Sequence, residues 1–282
     1  MSELKKIVYL GPKGSYTEIA AKTILSDGKF EKFFHKIHNS IINVIKDVNE
    51  NPNYTGILPI ENSIEGIVRE TIDNLLKTRN DLYITKEIII PISHCLISKS
   101  KNINDIKKIM SIGQAIAQCS HYLASNFSNA ELITTSSTSE AVRLLEEFPD
   151  DYAAIGNSLA AELYGFNILA RKINDIQENK TRFVSLDSFI PISTGNDKTS
   201  IAFTASNEPG SLVNILLRFK ESSLNLSYIE SRPSKNVFGN YTFFIDFDGH
   251  IEDENVKETI DKITPLVSSY KFLGSYPKFE KG

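Results

Sequence analysis

The stretch KKIVYLGPKGSYTEIAAKTIL, residues 5–25, runs from an apolar segment through a glycine-rich turn into a segment with helical spacing. The segment KKIVYLG predicts a buried strand, and apolar residues then recur every three or four positions, as on one face of a helix. The same order of strand, turn and helix returns several times before residue 186. This alternation predicts an α/β domain whose strands pair mainly in parallel.

A different pattern follows the α/β region. The segment DSFIPISTGND, residues 187–197, contains Pro191 and Gly195 among short polar side chains, which predicts a linker. After the linker the predicted elements come in the order strand, helix, strand, strand, helix, strand, which is the ferredoxin-like arrangement. We therefore expect a large α/β domain over residues 1–186 and a small α+β domain over residues 198–282.

The composition argues against several classes of protein. The 282 residues carry a net charge of −4, whereas a nucleic-acid-binding surface needs a basic patch. No run approaches the roughly 18 apolar residues of a membrane helix. Cys95 and Cys119, the two cysteines, suggest neither a disulfide framework nor a metal site, so we expect a reducing, cytoplasmic setting. The turn GPKGSYTE matches neither the P-loop nor the dinucleotide-binding fingerprint, and no cofactor or metal site is predicted.

Hydroxyl and amide side chains occur at several predicted turns between a strand and a helix. In open α/β sheets, ligands bind beyond the carboxyl ends of the strands, where such turns meet. The same side chains also serve as ordinary helix caps, so a purely structural explanation stays open for each. Gln114 and Gln118 are four residues apart, on one face of a predicted helix, where glutamines are often merely solvated. The turn residues are Ser15, Asn62, Ser111, Ser137 and Asn157.

The segment ENKTRFVSL, residues 178–186, begins as a polar turn and continues as an apolar run typical of a strand. Thr181, Arg182 and Phe183 stand side by side where the strand begins. They are compatible with the edge of a sheet and also with the floor of an anion site. In the second case Arg182 is the strong cation available to pair bidentately with a carboxylate.

Several motifs, taken in order, resemble the prephenate dehydratase family. They are GPKGSYTEIAA, PIENSIEGIV, AQC, STSEA, AAIGNSLAAELYGFNILARKI and NKTRFVSL, followed by NEPGSL and IESRP, which resemble the ACT regulatory domain of that family. The resemblance implies a two-lobed catalytic domain, similar to periplasmic binding proteins, followed by a ferredoxin-like ACT domain. No chorismate mutase domain precedes Ile7, as expected of a monofunctional member. The family usually has His-Pro after the serine of the third motif, where this chain has Ile112 and Gly113.

The resemblance also implies an activity. The family removes carbon dioxide and water from prephenate to give phenylpyruvate, on the route to phenylalanine, and needs no cofactor or metal. An arogenate dehydratase, which acts on the transaminated substrate, and a non-catalytic amino-acid sensor are the alternatives. The family's essential threonine falls on Thr181, with Arg182 as the partner of the carboxylate that stays and Glu61 as a rival proton donor. The candidate substrate-binding residues are Ser15, Asn62, Ser63, Ser111, Gln114, Gln118 and Phe183.

The small domain is expected to bind an effector. The resemblance implies that phenylalanine binds there, at contacts between the subunits of a homodimer or homotetramer, and inhibits the enzyme. Backbone N–H groups at a helix start suit the carboxylate of an amino acid. A tight turn and an edge strand closed by a proline are the structural alternative. The candidate effector-binding residues are Asn207, Glu208, Pro209, Gly210, Ser211, Leu212, Ile229, Glu230, Ser231, Arg232 and Pro233.

Overall fold

The computed structural model describes residues 6–24, 34–78, 81–233 and 241–280. Its strands are β1 (Lys6–Leu10), β2 (Phe34–His38), β3 (Tyr54–Asn62), β4 (Gly66–Ile67), β5 (Tyr83–Pro91), β6 (Cys95–Ser98), β7 (Lys108–Ser111), β8 (Glu131–Thr134), β9 (Tyr152–Gly156), β10 (Asn167–Arg171), β11 (Lys180–Asp187), β12 (Asp197–Ala205), β13 (Leu226–Pro233), β14 (Tyr241–Asp248) and β15 (Val267–Pro277). Its α-helices are α1 (Tyr16–Ile24), α2 (Ile41–Glu50), α3 (Arg69–Leu75), α4 (Gly113–Ala117), α5 (Ser120–Asn126), α6 (Thr138–Leu144), α7 (Ser158–Tyr164), α8 (Ser211–Glu221) and α9 (Glu254–Ile263).

Both sheets of the α/β region are mixed. The first sheet has the strand order β2-β1-β3-β11-β5, with β4 paired to β3; β1 is parallel to β2 and β3, whereas β11 is antiparallel to β3 and β5. The second sheet has the order β10-β6-β9-β7-β8, in which β7 is parallel to β8 and β9 while β6 is antiparallel to β9 and β10. The prediction of mainly parallel pairing was therefore wrong.

The path of the chain explains the antiparallel pairs of the first sheet. The chain leaves this sheet at the end of β5, builds the second sheet, and returns through β11. It enters the first sheet at the edge where β3 and β5 end, so Thr181 lies opposite Asn62. The two sheets form two lobes, as predicted, and residues 92–94 and 172–179 are the crossings between them.

The third sheet has the order β13-β14-β12-β15, and its neighbouring strands are all antiparallel. The elements β12, α8, β13, β14, α9 and β15 follow one another along the chain, which confirms the predicted ferredoxin-like arrangement. Helices α8 and α9 cover one face of this sheet, where Phe203, Phe219 and Val256 share a core cluster. The division into domains at residues 187–197 stays a prediction; β11 ends at Asp187 and β12 begins at Asp197.

The other face of the third sheet packs on the first lobe. Phe244 and Tyr276 of the third sheet share a core cluster with Leu58 and Val184 of the first sheet. Phe183, the neighbour of Val184 in β11, is buried in a different cluster, under α1. Successive side chains of a strand point to opposite faces. Strand β11 thus lies between α1 and the third sheet, and its consecutive residues face different compartments.

Candidate active site

A cavity opens between the two lobes beside the first residues of β11. It is bordered by residues of the first lobe, of the second lobe and of both crossings between them. Its lining residues are Tyr16, Asn62, Ile92, His94, Ile112, Gln114, Ala115, Gln118, Thr138, Asn179 and Thr181. Four of the predicted site residues therefore meet here, namely Asn62, Gln114, Gln118 and Thr181.

The Thr181 hydroxyl is held by the side-chain amide of Asn62. Asn62 Nδ2 donates to Thr181 Oγ1 at 2.9 Å, while Asn62 Oδ1 accepts the backbone N–H groups of Ile64 and Glu65 at 2.9 and 3.0 Å. Because these two donors require the oxygen of the amide, its NH2 end faces Thr181 and the hydroxyl oxygen is the acceptor. The hydroxyl hydrogen is therefore available to a ligand in the cavity.

Neutral amides continue from Asn62 along the cavity wall. Asn62 Nδ2 also donates to Asn179 Oδ1 at 2.8 Å, and Asn179 Nδ2 donates to Gln118 Oε1 at 3.0 Å. Gln118 belongs to the second lobe, and its Nε2 donates to Glu65 Oε1 of the first lobe at 3.3 Å. Neutral amides thus connect Thr181 to Gln118, and the contact between Gln118 and the Glu65 carboxylate joins the lobes.

His94 lines the same cavity and was not predicted as a site residue. Its Nε2 lies 3.3 Å from Gln118 Oε1, and burial lowers the pKa of His94, so the imidazole is neutral near pH 7. Since an amide oxygen only accepts, Nε2 carries the hydrogen, and Nδ1 is a buried acceptor without a partner among the described residues. Pro91 ends β5 and so marks the crossing between the lobes, but no sequence signal pointed to His94 itself.

Arg182 and Glu61 lie on the opposite face of the first sheet from Thr181. Arg182 is buried, with Nε 3.1 Å from Glu61 Oε2 and Nη1 3.2 Å from Glu87 Oε2 and 2.6 Å from Asp246 Oδ2. Three carboxylates thus surround the guanidinium. This corrects the expectation that Arg182 holds a substrate carboxylate beside Thr181, because consecutive strand residues point to opposite faces. Glu61 pairs with Arg182 in the β-ladder and is separated from Thr181 for the same reason.

The other predicted site residues support strands and turns around the cavity, where direct substrate contact was expected. Ser15 accepts a backbone N–H group of the first turn of α1 at 3.3 Å, and buried Ser111 donates to a backbone carbonyl of β9 at 2.8 Å. Ser63 accepts the backbone N–H of Lys180 at 2.9 Å and so anchors the start of β11. Phe183 is buried in the cluster under α1. The three serine side chains make hydrogen bonds to backbone groups of adjacent turns and strands, which motif spacing alone does not reveal.

The two predicted effector segments lie at one end of the third sheet. Ala205, the last residue of β12, and Pro233, the last residue of β13, both pair with Tyr241 at the start of β14. Residues 207–212 follow β12 and lead into α8, with Gly210 in the left-handed region at φ 85° just before the helix. The segments are therefore close in space, and their binding role stays a prediction.

Three general features bear on the class of site. Within residues 6–24, 34–78, 81–233 and 241–280, no helix is long and apolar enough to cross a membrane. In the same described ranges, no three His, Cys, Asp or Glu side chains come together to hold a metal ion. Cys95 and Cys119 are both buried and unpaired.

Comparison with known proteins identifies the family. The family model for prephenate dehydratase matches residues 7–189. The prephenate dehydratase of Methanocaldococcus jannaschii is 38% identical over 283 residues, which cover 98% of this chain and 99% of the relative. The bifunctional chorismate mutase/prephenate dehydratase of Aquifex aeolicus is 38% identical over 279 residues, which cover 97% of this chain and 74% of the relative.

A solved structure agrees with the sequence comparison. The crystal structure of prephenate dehydratase from Arthrobacter aurescens, in complex with L-Phe, matches with a TM-score of 0.87 and 32% identity, over 97% of this chain and 90% of that one. The match therefore extends over both lobes and the third sheet. The family resemblance found in the motifs is confirmed: this chain belongs to the prephenate dehydratase family of hydro-lyases.

Proposed function

We propose that this protein converts prephenate to phenylpyruvate, carbon dioxide and water in the cavity between the lobes. The observation that carries the proposal is the geometry of Thr181, whose oxygen accepts from Asn62 Nδ2 at 2.9 Å and whose hydrogen is thereby left for a ligand. The surrounding wall offers amides, hydroxyls and the neutral imidazole of His94. A fixed donor of this kind suits the hydroxyl that leaves the substrate ring.

The reaction breaks two bonds to the substrate ring. The bond to the ring carboxylate breaks, carbon dioxide departs, and the electron pair of that bond enters the ring. The bond from the ring to its hydroxyl breaks as well, and the oxygen takes a proton and leaves as water. The ring becomes aromatic and so accommodates the electrons itself. The protein's task is therefore to orient the substrate and to stabilise the departing oxygen.

Thr181 acts as a positioned hydrogen-bond donor rather than as a full acid. A threonine hydroxyl is not among the groups that titrate near neutral pH. Its hydrogen bond strengthens as negative charge develops on the departing oxygen, which lowers the barrier. The proton that completes the water comes from solvent. Glu61 is the weaker candidate for this step, because its side chain interacts with Arg182 on the opposite face of the sheet.

Neutral donors bind the carboxylate that stays on the substrate. Gln114 and Thr138 line the cavity from the second lobe and offer an amide and a hydroxyl. The imidazole of His94 lines the same cavity, with its Nε2 beside Gln118 Oε1. Neutral groups of this kind orient an anionic substrate without the desolvation cost of burying a cation in the cavity.

Phenylalanine is proposed to bind residues 207–212 and 229–233 and to inhibit the reaction. The two segments lie at the same end of the third sheet, where Tyr241 pairs with the last residues of β12 and β13. The related Arthrobacter aurescens structure is a complex with L-Phe, which supports an effector role for this ligand here. Inhibition requires that phenylalanine bind the less active arrangement more tightly.

A homodimer or homotetramer in the cytoplasm is the proposed state of the protein. Strand β13 is at the edge of the third sheet, and an exposed edge tends to pair with another chain. The buried, unpaired thiols of Cys95 and Cys119 are consistent with a reducing compartment. Sedimentation velocity on the purified protein, with and without phenylalanine, measures the assembly directly.

The catalytic proposal is tested with purified protein and prephenate at neutral pH. Phenylpyruvate is followed by its absorbance in alkali, with and without phenylalanine, and arogenate is assayed in parallel. Product above the spontaneous rate supports catalysis, and a fall with phenylalanine supports the effector role. If the protein turns over arogenate faster than prephenate, arogenate replaces prephenate as the proposed substrate. No product from either compound would overturn the catalytic proposal.

A further inference from the structure

Directly behind Thr181, a group of charged side chains joins the first sheet to the third sheet. We call this group the Arg182 cluster; it consists of Glu61, Glu87, Arg182, Lys198 and Asp246. Arg182 Nη1 lies 2.6 Å from Asp246 Oδ2, and Lys198 Nζ lies 2.9 and 2.8 Å from the two carboxylate oxygens of Glu87. Both contacts connect the sheets, because Glu87 and Arg182 belong to β5 and β11 whereas Lys198 and Asp246 belong to β12 and β14.

Asp246 is firmly placed within the third sheet. Its side chain is fully buried, and Ser200 Oγ donates to its Oδ1 at 2.6 Å. Because the Ser200 hydrogen is used in this way, Ser200 accepts the hydroxyl of Tyr276 at 2.7 Å. These three residues come from β14, β12 and β15, so the position of the Asp246 carboxylate follows the position of the whole sheet.

The interaction of the cluster with the Arg182 side chain is mainly electrostatic. Three carboxylates surround the guanidinium, yet Nε and Nη2 make no well-aligned hydrogen bond within the part of the chain that the structure describes. Glu61 is partly exposed, but Glu87 and Asp246 are buried, and ion pairs out of contact with water are screened only weakly. A displacement of Asp246 therefore draws the Arg182 side chain with it.

The backbone beside Arg182 can adjust to such a displacement. Thr181 and Arg182 share a peptide bond, and the pairing of β11 with β3 shifts register between Arg182 and Phe183. An irregularity of this kind interrupts the ladder locally and changes the direction of neighbouring side chains. The ladder between β11 and β3 is thus interrupted directly after Arg182, whereas Thr181 stays paired with Asn62 and Ile90, so a movement of Arg182 passes to the Thr181 side of this interruption.

We propose that Arg182 is a positioning residue that couples the placement of the third sheet to the position of the Thr181 hydroxyl. This inference rests on the proposed function of the cavity and of the effector segments. Residues 229–233 pair with residues 241–245 of β14, so Ile229 lies opposite Ile245, the neighbour of Asp246. Residues 207–212 follow β12 at the end of the sheet where Tyr241 lies. Phenylalanine bound at that end shifts the third sheet, and the contact between Asp246 and Arg182 passes the shift to Thr181.

Asp246→Asn tests the coupling with little change of shape. The cluster has two cations and three carboxylates, so the variant leaves two of each and no excess buried charge. The new amide keeps an oxygen for Ser200, but its NH2 group then faces Arg182 Nη1, and the two donors repel. We expect kcat for prephenate to fall roughly tenfold, KM to stay within about twofold, and the phenylalanine concentration for half-inhibition to rise roughly tenfold.

Two further variants separate positioning from substrate binding and from general damage. Arg182→Lys keeps the charge and loses the planar fork, and combined with Asp246→Asn it should lower kcat by less than the product of the two single effects. Arg218→Ala is the matched control, because it breaks an ion pair with Glu221 (2.8 Å) on the outer helix α8. It should leave kcat and inhibition within about twofold of the unmodified protein.

The outcomes distinguish this inference from the proposed function. Unchanged kcat and inhibition in Asp246→Asn overturn the inference, as do single effects that simply multiply in the double variant. A rise in KM of about a hundredfold at unchanged kcat in Arg182→Lys also overturns it, because Arg182 would then be a substrate ligand. An unmodified protein that leaves prephenate unchanged refutes the proposed function alone.

If the unmodified protein leaves prephenate unchanged, amide hydrogen exchange still tests whether Asp246 and Thr181 are coupled. Residues 180–183 should exchange faster in Asp246→Asn than in Arg218→Ala, because the displaced Arg182 side chain loosens the start of β11. Equal exchange in the two variants overturns the inference.

Discussion

The two faces of β11 differ in chemistry, although Thr181 and Arg182 are neighbours in the chain. On the face toward the cavity, Thr181 lies among amides, hydroxyls and the neutral imidazole of His94. On the face toward the third sheet, Arg182 is buried among three carboxylates. Neutral donors suit a site that an anionic substrate must enter and leave, whereas paired buried charges suit a permanent contact. One strand therefore serves both the site and the joint between the first lobe and the third sheet.

Disrupting the charged face of β11 should have the largest effect of the variants considered, and the effect should be on stability. Arg182→Met leaves Glu61, Glu87 and Asp246 with Lys198 as the remaining cation of the cluster. Removing one partner from a buried ion pair costs about 3–5 kcal/mol, and we expect the free energy of unfolding to fall by that amount. Urea denaturation at pH 7 measures the difference.

The control for this variant is Arg218→Ala, at a half-exposed ion pair. Its expected cost is about 0–1 kcal/mol, because solvent screens such pairs. A similarly small loss in Arg182→Met would contradict the view that the Arg182 cluster is a desolvated contact.

Disrupting the neutral face should affect the rate and leave the fold intact. Thr181→Ala removes the proposed donor to the leaving oxygen, and we expect kcat to fall by roughly 10²–10³, the cost of one preorganised donor. Thr181→Ser keeps a hydroxyl opposite Asn62 and is the matched control. Steady-state kinetics with prephenate measure both variants. An alanine variant whose kcat stays within a factor of a few would remove Thr181 from the chemistry.

Most of the fold could be predicted because its signals are local. Each strand of the third sheet carries an apolar pattern within eight to eleven residues, and the order of the elements then gave the ferredoxin-like arrangement. Strand direction in the first sheet could not be predicted in the same way. Asn62 and Thr181 face each other across 119 residues of sequence, and a pattern within one strand does not specify its neighbours.

The same distinction between local and long-range signals applies to the candidate site. Asn62, Gln118 and Thr181 come from separate motifs and meet at one cavity, as the resemblance indicated. Arg182 was assigned to that site because the motif was interpreted as a unit, although the alternation of a strand separates neighbouring side chains. His94 could not be identified, because its partner Gln118 is 24 residues away and approaches only when the lobes fold together.

A tight backbone contact between the third sheet and the first sheet offers a test that leaves the charges intact. Gly274 has φ 144°, and a Cβ atom there would overlap the backbone of Ile84 in β5. Gly274→Ala should therefore lower the free energy of unfolding by about 1–3 kcal/mol. Displacing the third sheet should also lower kcat, if the two faces of β11 are coupled as proposed.

The matched control is Gly195→Ala, which also has a positive φ, 81°, but has open space around the added atom. In Gly195→Ala the free energy of unfolding should fall only by the cost of placing alanine in this backbone conformation, and kcat should be unchanged. Equal losses in stability at the two glycines, measured by urea denaturation, would contradict a tight contact between the sheets.

The smallest expected effect concerns pH and belongs to the neutral face. Burial lowers the pKa of His94 below its ordinary value of 6.5, so the unfolded chain binds a proton in a range where the folded protein does not. Stability is therefore lost as the pH falls from about 6.5 toward the lower folded pKa, by at most about 1.4 kcal/mol per pH unit for this group. His94→Gln should flatten this part of the stability curve, measured by urea denaturation between pH 7.5 and 5, whereas His121→Gln removes an exposed histidine and leaves His94 in place. Equal slopes in His94→Gln and in the unmodified protein would show that His94 gains its proton in the cavity as readily as in water, and the neutral character assigned to this face of β11 would then be wrong.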